Sequence, residues 1–211
     1  MRMFWSPRSP FARKAMVVAH EAGLADRIEI IRIDIPQREP NPDLAAASPL
    51  QKLPTLVTDE GQTIIDSPVI CEYLDGLGKA GLYPQGAERW RALSFQALGD
   101  ELLTIMLQWR AELRRPEENR SAPLLANFAA RLDRSLDWLE AQSWEAGPVT
   151  IGDITIGVML SYLDFRFPER EWRKGRDRLA RQQADREQRP SFIATPFGGQ
   201  SSASIPGHQQ S

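Results

Sequence analysis

Residues 1–14 read MRMFWSPRSPFARK, and this stretch decides the fold. Met1–Trp5 is short, apolar and aromatic, the composition of a strand. Ser6–Ser9 reads as a turn. Pro10–Glu21 then carries Phe11, Ala15, Met16, Val18 and Ala19 at helical spacing. Pro10 suits the first helical position, where a missing N–H costs nothing. Gly23 ends the helix.

Outward from this strand–turn–helix unit the alternation continues. Ile28–Ile33 alternates apolar and charged residues, a half-buried strand. Residues 36–49 read as loop, with at most a short helix around Asp43–Ala47. Thr55–Val57 and Thr63–Ile65 are short strands split by Asp59-Glu60-Gly61, a hairpin turn. Ser67–Leu77 reads as a helix with Ser67 as N-cap and Pro68 at its first position. The order over residues 1–77 is β-α-β-α-β-β-α. Residues 78–86 hold three glycines and a proline and read as a linker.

Residues 87–196 read as helical throughout. Ala87–Leu113 has no proline and one glycine, room for a helix of about 40 Å at 1.5 Å per residue. Arg114–Pro123 is a charged break. In Leu124–Gln142, the residues Leu125, Phe128, Leu132, Leu136 and Leu139 form an i, i+3/i+4 stripe. Thr150–Phe165 is apolar enough to be central to this second domain. Glu171–Glu187 is densely charged and reads as mostly a solvated face, including Arg173, Lys174, Arg176, Arg178 and Arg181. Residues 197–211, mostly Gly, Ser, Gln and Pro, are expected to be a disordered tail.

Composition narrows the function classes. The 211 residues are 42% hydrophobic and 26% charged, with net charge −2, so nothing general favours nucleic acid. No apolar run approaches the roughly 20 residues of a membrane span, and residues 1–10 lack a signal-peptide core. A cytoplasmic setting without membrane or nucleic-acid partners is expected. The single cysteine, Cys71, forms no intramolecular disulfide and reads as a small core residue of the third helix. The two histidines, His20 and His208, have no metal-ligand spacing, so no metal site is expected. Glycine-rich phosphate loops are absent.

Three places can carry chemistry. Ser9 stands before Pro10 at a helix start, where unpaired N–H groups and the helix dipole favour an anion. It reads either as an N-cap or as a hydroxyl donating to that anion, with Ser6 as a second candidate. Leu53-Pro54 lies between a loop and a strand; a cis bond there would leave the Leu53 N–H and C=O free to pair with an extended peptide. Asp66-Ser67 at a helix start reads as capping, or as a grip on an amino acid, with the carboxylate on Ser67 and the ammonium on Asp66. Thr150 and Asp153 form a capping box and belong to folding.

Taken together and in order, SPRSPFARK at 6–14, QKLPTL at 51–56 and DSPVICEYL at 66–74 resemble the N-terminal domain of glutathione transferases. RPEENRS at 115–121 and TIGDITIG at 150–157 resemble the family's helical C-terminal domain. The resemblance implies a thioredoxin-like domain over 1–77 followed by an all-helical domain over 87–196. It implies that Ser9 activates glutathione sulfur, that Leu53 before a cis Pro54 pairs with the cysteinyl unit, and that Asp66 and Ser67 hold the γ-glutamyl end. Lys52 matches a position that reaches the glycyl carboxylate. Relatives with cysteine at the position of Ser9 or Pro10 perform thiol–disulfide chemistry, and others use a tyrosine near the end of the first strand. Here those positions hold Ser9, Pro10, Phe4 and Trp5, which leaves serine.

The resemblance further implies a homodimer that needs no cofactor, glutathione being a co-substrate conjugated to an electrophilic, apolar small molecule. A hydrogen bond to a charged group contributes about 1.5–3 kcal/mol, roughly one to two pKa units, enough to populate thiolate near pH 7. The second-substrate pocket is expected between the domains, lined by Trp5, Phe11, Met106 and Trp109. The rival readings are a non-catalytic binding protein on the same fold and a glutathione-dependent reductase.

Overall fold

The computed structural model describes residues 1–33, 40–142 and 147–198. Four strands, β1 (Arg2–Trp5), β2 (Glu29–Arg32), β3 (Thr55–Val57) and β4 (Thr63–Ile65), form one sheet in the order β2-β1-β3-β4. β1 pairs parallel with β2 and antiparallel with β3, which pairs antiparallel with β4. Side chains alternate across a strand. Met3 and Trp5 therefore join one core while Phe4 joins another with Ile33, Leu44 and Val57. Both faces of β1 are covered over Met3–Trp5, which is why these three residues are all apolar, while the exposed Arg2 at its start is not.

Helices α1 (Pro10–Glu21) and α3 (Ser67–Gly78) cover the first face, contributing Val17, Val18, Ile70, Cys71 and Leu74 to its core. The short helix α2 (Pro42–Ala47), capped by the Asn41 side chain, covers the other through Leu44. The expected loop at residues 36–39 lies outside the described residues.

The helical part comprises α4 (Ala87–Leu113), α5 (Ala122–Ala141), α6 (Ile151–Arg166), α7 (Asp177–Glu187) and α8 (Pro190–Ile193). Helix α6 is buried along almost its whole length, and its N-terminus carries the Thr150–Asp153 capping box. It serves two cores: Ile151, Ile154 and Val158 join the sheet-side core, while Ile156, Met159, Leu160 and Leu163 join that of α4 and α5. Glycine lets α4 and α6 approach: a Cβ on Gly99 would sit 2.8 Å from Thr155 Cγ2, and one on Gly152 2.8 Å from the Ala92 carbonyl.

Three sequence readings need correction. Asp66, one residue before Ser67, caps α3 and accepts the Ser67 N–H at 2.8 Å. Helix α5 begins at Ala122 with Ser121 as its cap, because Pro123 is compatible with a first helical turn. The charged 171–187 segment is mostly solvated, as expected, with Trp172, Leu179, Gln183 and Arg186 as its buried contacts. Phe197 and Gly198, expected in the tail, are packed: the Phe197 ring lies on Tyr162 and Phe165, and Gly198 N–H donates to the Pro7 carbonyl at 3.2 Å. The rest of the expected tail, 199–211, lies outside the described residues.

Candidate functional site

At the N-terminus of α1, Ser9 has extended backbone (φ −89°, ψ 117°), and its Oγ accepts the Ala12 N–H at 3.3 Å. The first turn of α1 holds no acidic residue, so nothing in it offsets the positive helix end. A serine hydroxyl has one hydrogen and two lone pairs. Capping uses a lone pair, and no acceptor takes the Ser9 hydrogen among the described residues. The hydroxyl can therefore cap the helix and still donate to an anion above it. Ser6 is buried in the same turn, and its carbonyl accepts the Ser9 N–H at 3.1 Å.

A cleft of about 410 Å3 opens beside this turn. One wall comes from the sheet side and contains Lys52, Leu53, Pro54, Asp66 and Ser67; Phe11 of α1 also lines it. Ser9 itself is not on the lining; it lies two residues before Phe11. The Leu53–Pro54 peptide is cis. Neither the N–H nor the C=O of Leu53 has a hydrogen-bond partner among the described residues. Lys52 is exposed at the rim, and its carbonyl accepts the Thr55 hydroxyl at 2.8 Å.

The Ser67 side chain is 1% exposed, yet its Oγ has no hydrogen-bond partner among the described residues. A buried unsatisfied hydroxyl costs about 1–3 kcal/mol. Because Asp66 caps α3 by accepting the Ser67 N–H, the Ser67 hydroxyl remains available to a ligand at the helix N-terminus. Ser48, on the same cleft, also has a buried and unpartnered Oγ.

The opposite wall belongs to α4: Ala97, Asp100, Glu101 and Thr104. Their i, i+3, i+4, i+7 spacing marks one helix face, a signal present in the sequence that an apolar-stripe reading passes over. Asp100 is anchored by Lys14, a fully buried lysine of α1, at 2.6 Å. Burial pushes the Asp100 carboxyl above its ordinary range, with the Lys14 ammonium pulling it back.

Of the four residues expected to form a second-substrate pocket, only Phe11 reaches the cleft. Met106 and Trp109 are buried in the core between α4, α5 and α6, because the face of α4 they share points at α6 rather than at the sheet. Trp5 is likewise core, and borders a separate cavity of about 70 Å3 with Met16, His20 and Ile30. Cys71 is fully buried, and burial pushes its thiol up to about 12, so it is no nucleophile.

The fold that carries this site recurs in known proteins. Residues 8–77 match the glutathione S-transferase N-terminal domain and residues 117–181 the glutathione S-transferase C-terminal domain. The chain is 31% identical over 201 residues to YibF, an uncharacterized GST-like protein of Escherichia coli K12, covering 92% of this chain and 98% of that one. A glutathione transferase family member from Pseudomonas fluorescens Pf-5, solved with bound glutathione, superposes with a TM-score of 0.84 at 34% identity, covering 92% and 98% of the two chains. The Pseudomonas protein with bound S-(propanoic acid)-glutathione superposes at 0.80, also at 34% identity, covering 93% and 99%. A thioredoxin-like sheet unit, a helical unit and the cleft between them place this chain in the glutathione S-transferase family.

Proposed function

We propose that the protein is a serine-type glutathione transferase. It binds glutathione in the α3–α4 cleft and uses the Ser9 hydroxyl to hold the sulfur as thiolate. The carrying observation is that Ser9 caps α1 with a lone pair and keeps its hydrogen for donation. In this reading Asp66 takes the γ-glutamyl ammonium, Ser67 its carboxylate, the Leu53 backbone the cysteinyl unit and Lys52 the glycyl carboxylate. Glutathione bound in the Pseudomonas relative supports the ligand.

The thiol loses its proton to solvent as the sulfur settles between Ser9 and the α1 N-terminus. Against an aryl halide, the thiolate lone pair forms the carbon–sulfur bond and the halide leaves with its bonding pair. Thiol–disulfide exchange is disfavoured, because the one cysteine is sealed in α3 with a raised pKa. The enzyme would work as a cytoplasmic homodimer in detoxification, without a resident cofactor. Light scattering should give twice the monomer mass at micromolar concentration; the monomer mass would refute the dimer.

Retention on immobilised glutathione followed by conjugation to a generic aryl halide tests the reading. Retention with turnover is expected. Retention without turnover for a panel of electrophiles would make the chain a binding protein, and no retention would refute the glutathione site.

A further inference from the structure

Arginines from three elements gather beside the Ser9 turn. Arg8 immediately precedes Ser9 and is exposed. Arg110, near the end of α4, donates from Nη1 to the Tyr162 hydroxyl at 3.1 Å. Arg166, the last residue of α6, lies with its guanidinium 3.9 Å from the Phe165 ring centroid. The Phe165 ring stacks on Phe197 at 5.2 Å and 3°. The next residue, Gly198, donates its N–H to Pro7, next to Arg8. The aromatic pair thus ties the end of α6 to the turn that presents Ser9.

No carboxylate pairs with Arg8, Arg110 or Arg166 among the described residues. Arg166 also keeps a buried Nε without a hydrogen-bond partner among the described residues. Burial, together with the charges of Arg110 and Arg8, lowers the proton affinity of Arg166. Holding like charges together and leaving a buried donor unused both cost free energy. An organic anion would offset both at once, since guanidinium groups bind carboxylates by paired hydrogen bonds. By contrast, Arg173 and Arg189 are paired with Asp164 and Glu21.

We propose that the electrophile conjugated at Ser9 carries a carboxylate, bound by the Arg8–Arg110–Arg166 cluster. This rests on the glutathione reading above and names the class of second substrate. It also replaces Met106 and Trp109 as selectors: the residues following each of them on α4, Leu107 and Arg110, are the ones partly open to solvent.

The test measures the affinity of the whole protein for S-(4-carboxybenzyl)glutathione, S-benzylglutathione and glutathione by calorimetry. The carboxylated conjugate should bind tighter than the neutral one by about tenfold or more, the yield of one charge-assisted hydrogen bond. Arg166→Gln should narrow that ratio by about tenfold, and raised salt should narrow it too. Should Arg166→Gln fail to fold, the exposed Arg8→Gln gives the same readout. A ratio near one in the native protein, or one unchanged in both variants, overturns the proposal. If glutathione binds while the ratio is near one, only the substrate class falls; if none of the three ligands binds, the glutathione reading falls with it.

Discussion

The Lys14 ammonium lies 2.6 Å from each carboxylate oxygen of Asp100. The pair joins α1 to α4, and Lys14 is wholly buried while Asp100 reaches the cleft. Removing one member of a buried pair leaves an uncompensated charge. Lys14→Met should cost about 3–5 kcal/mol in urea unfolding. Lys14→Met with Asp100→Leu should recover most of it, because a packed apolar pair suits the same space. A single-variant loss below about 1 kcal/mol, the range of exposed pairs, would show that water reaches the site.

Ser67 should support ligand affinity rather than folding. Its Oγ bonds nothing among the described residues, so Ser67→Ala should leave the stability of the unliganded protein unchanged or raise it by up to about 1–3 kcal/mol. The same variant should raise the Kd for glutathione about tenfold, by loss of a hydrogen bond to a charged group. Asp66→Ala should weaken binding and also cost about 1 kcal/mol, since it removes the cap of α3. Unchanged affinity in both variants would mean that the two residues serve the helix alone.

Acid should loosen the contact between α1 and α8. Glu21 accepts from Arg189 Nε at 2.9 Å, Arg189 Nη2 at 2.8 Å and the Ser191 hydroxyl at 2.5 Å. The hydrogen bond from Arg189 holds its carboxyl below the ordinary 4.5, with burial opposing. A depressed carboxylate pKa means the unfolded chain binds the proton first. The contribution is therefore whole above pH 4.5 and is lost as pH falls through the lower folded value. Tm measured downward through this range should fall more steeply for the native protein than for Glu21→Gln. Parallel curves would show that the contact contributes nothing to acid stability.

Much of this was legible in the sequence, for physical reasons. The β1–turn–α1 unit declares itself because Pro10 and Ser9 have positional meaning at a helix start, and Met3–Trp5 is apolar because both faces of β1 are covered there. Asp66 and Ser67 could be found as a pair, but not which of them caps: both are good caps, and only the backbone decides. Met106 and Trp109 misled because a large apolar residue reads alike in a core and in a pocket. Lys14 and Asp100 lie 86 positions apart, and no local pattern joins them. Phe197 stands among polar neighbours in the sequence, yet a single aromatic suffices to anchor a segment on Tyr162 and Phe165.

The central claim is that the Ser9 hydroxyl stabilises the bound thiolate, and the direct measurement is the pKa of bound glutathione, followed by thiolate ultraviolet absorbance. Saturating glutathione should be used, well below the melting temperature, because losing the α1 cap costs about 1 kcal/mol of stability. In Ser9→Ala the thiol pKa should rise by roughly one to two units, the worth of one hydrogen bond to a charged group. Conjugation at neutral pH should fall about ten- to a hundredfold and recover in part at alkaline pH. Ser9→Cys should lose conjugation and gain thiol–disulfide exchange. An unchanged thiol pKa and pH profile in Ser9→Ala would contradict the account, reducing Ser9 to a helix cap and giving the sulfur to Ser6 or a backbone N–H.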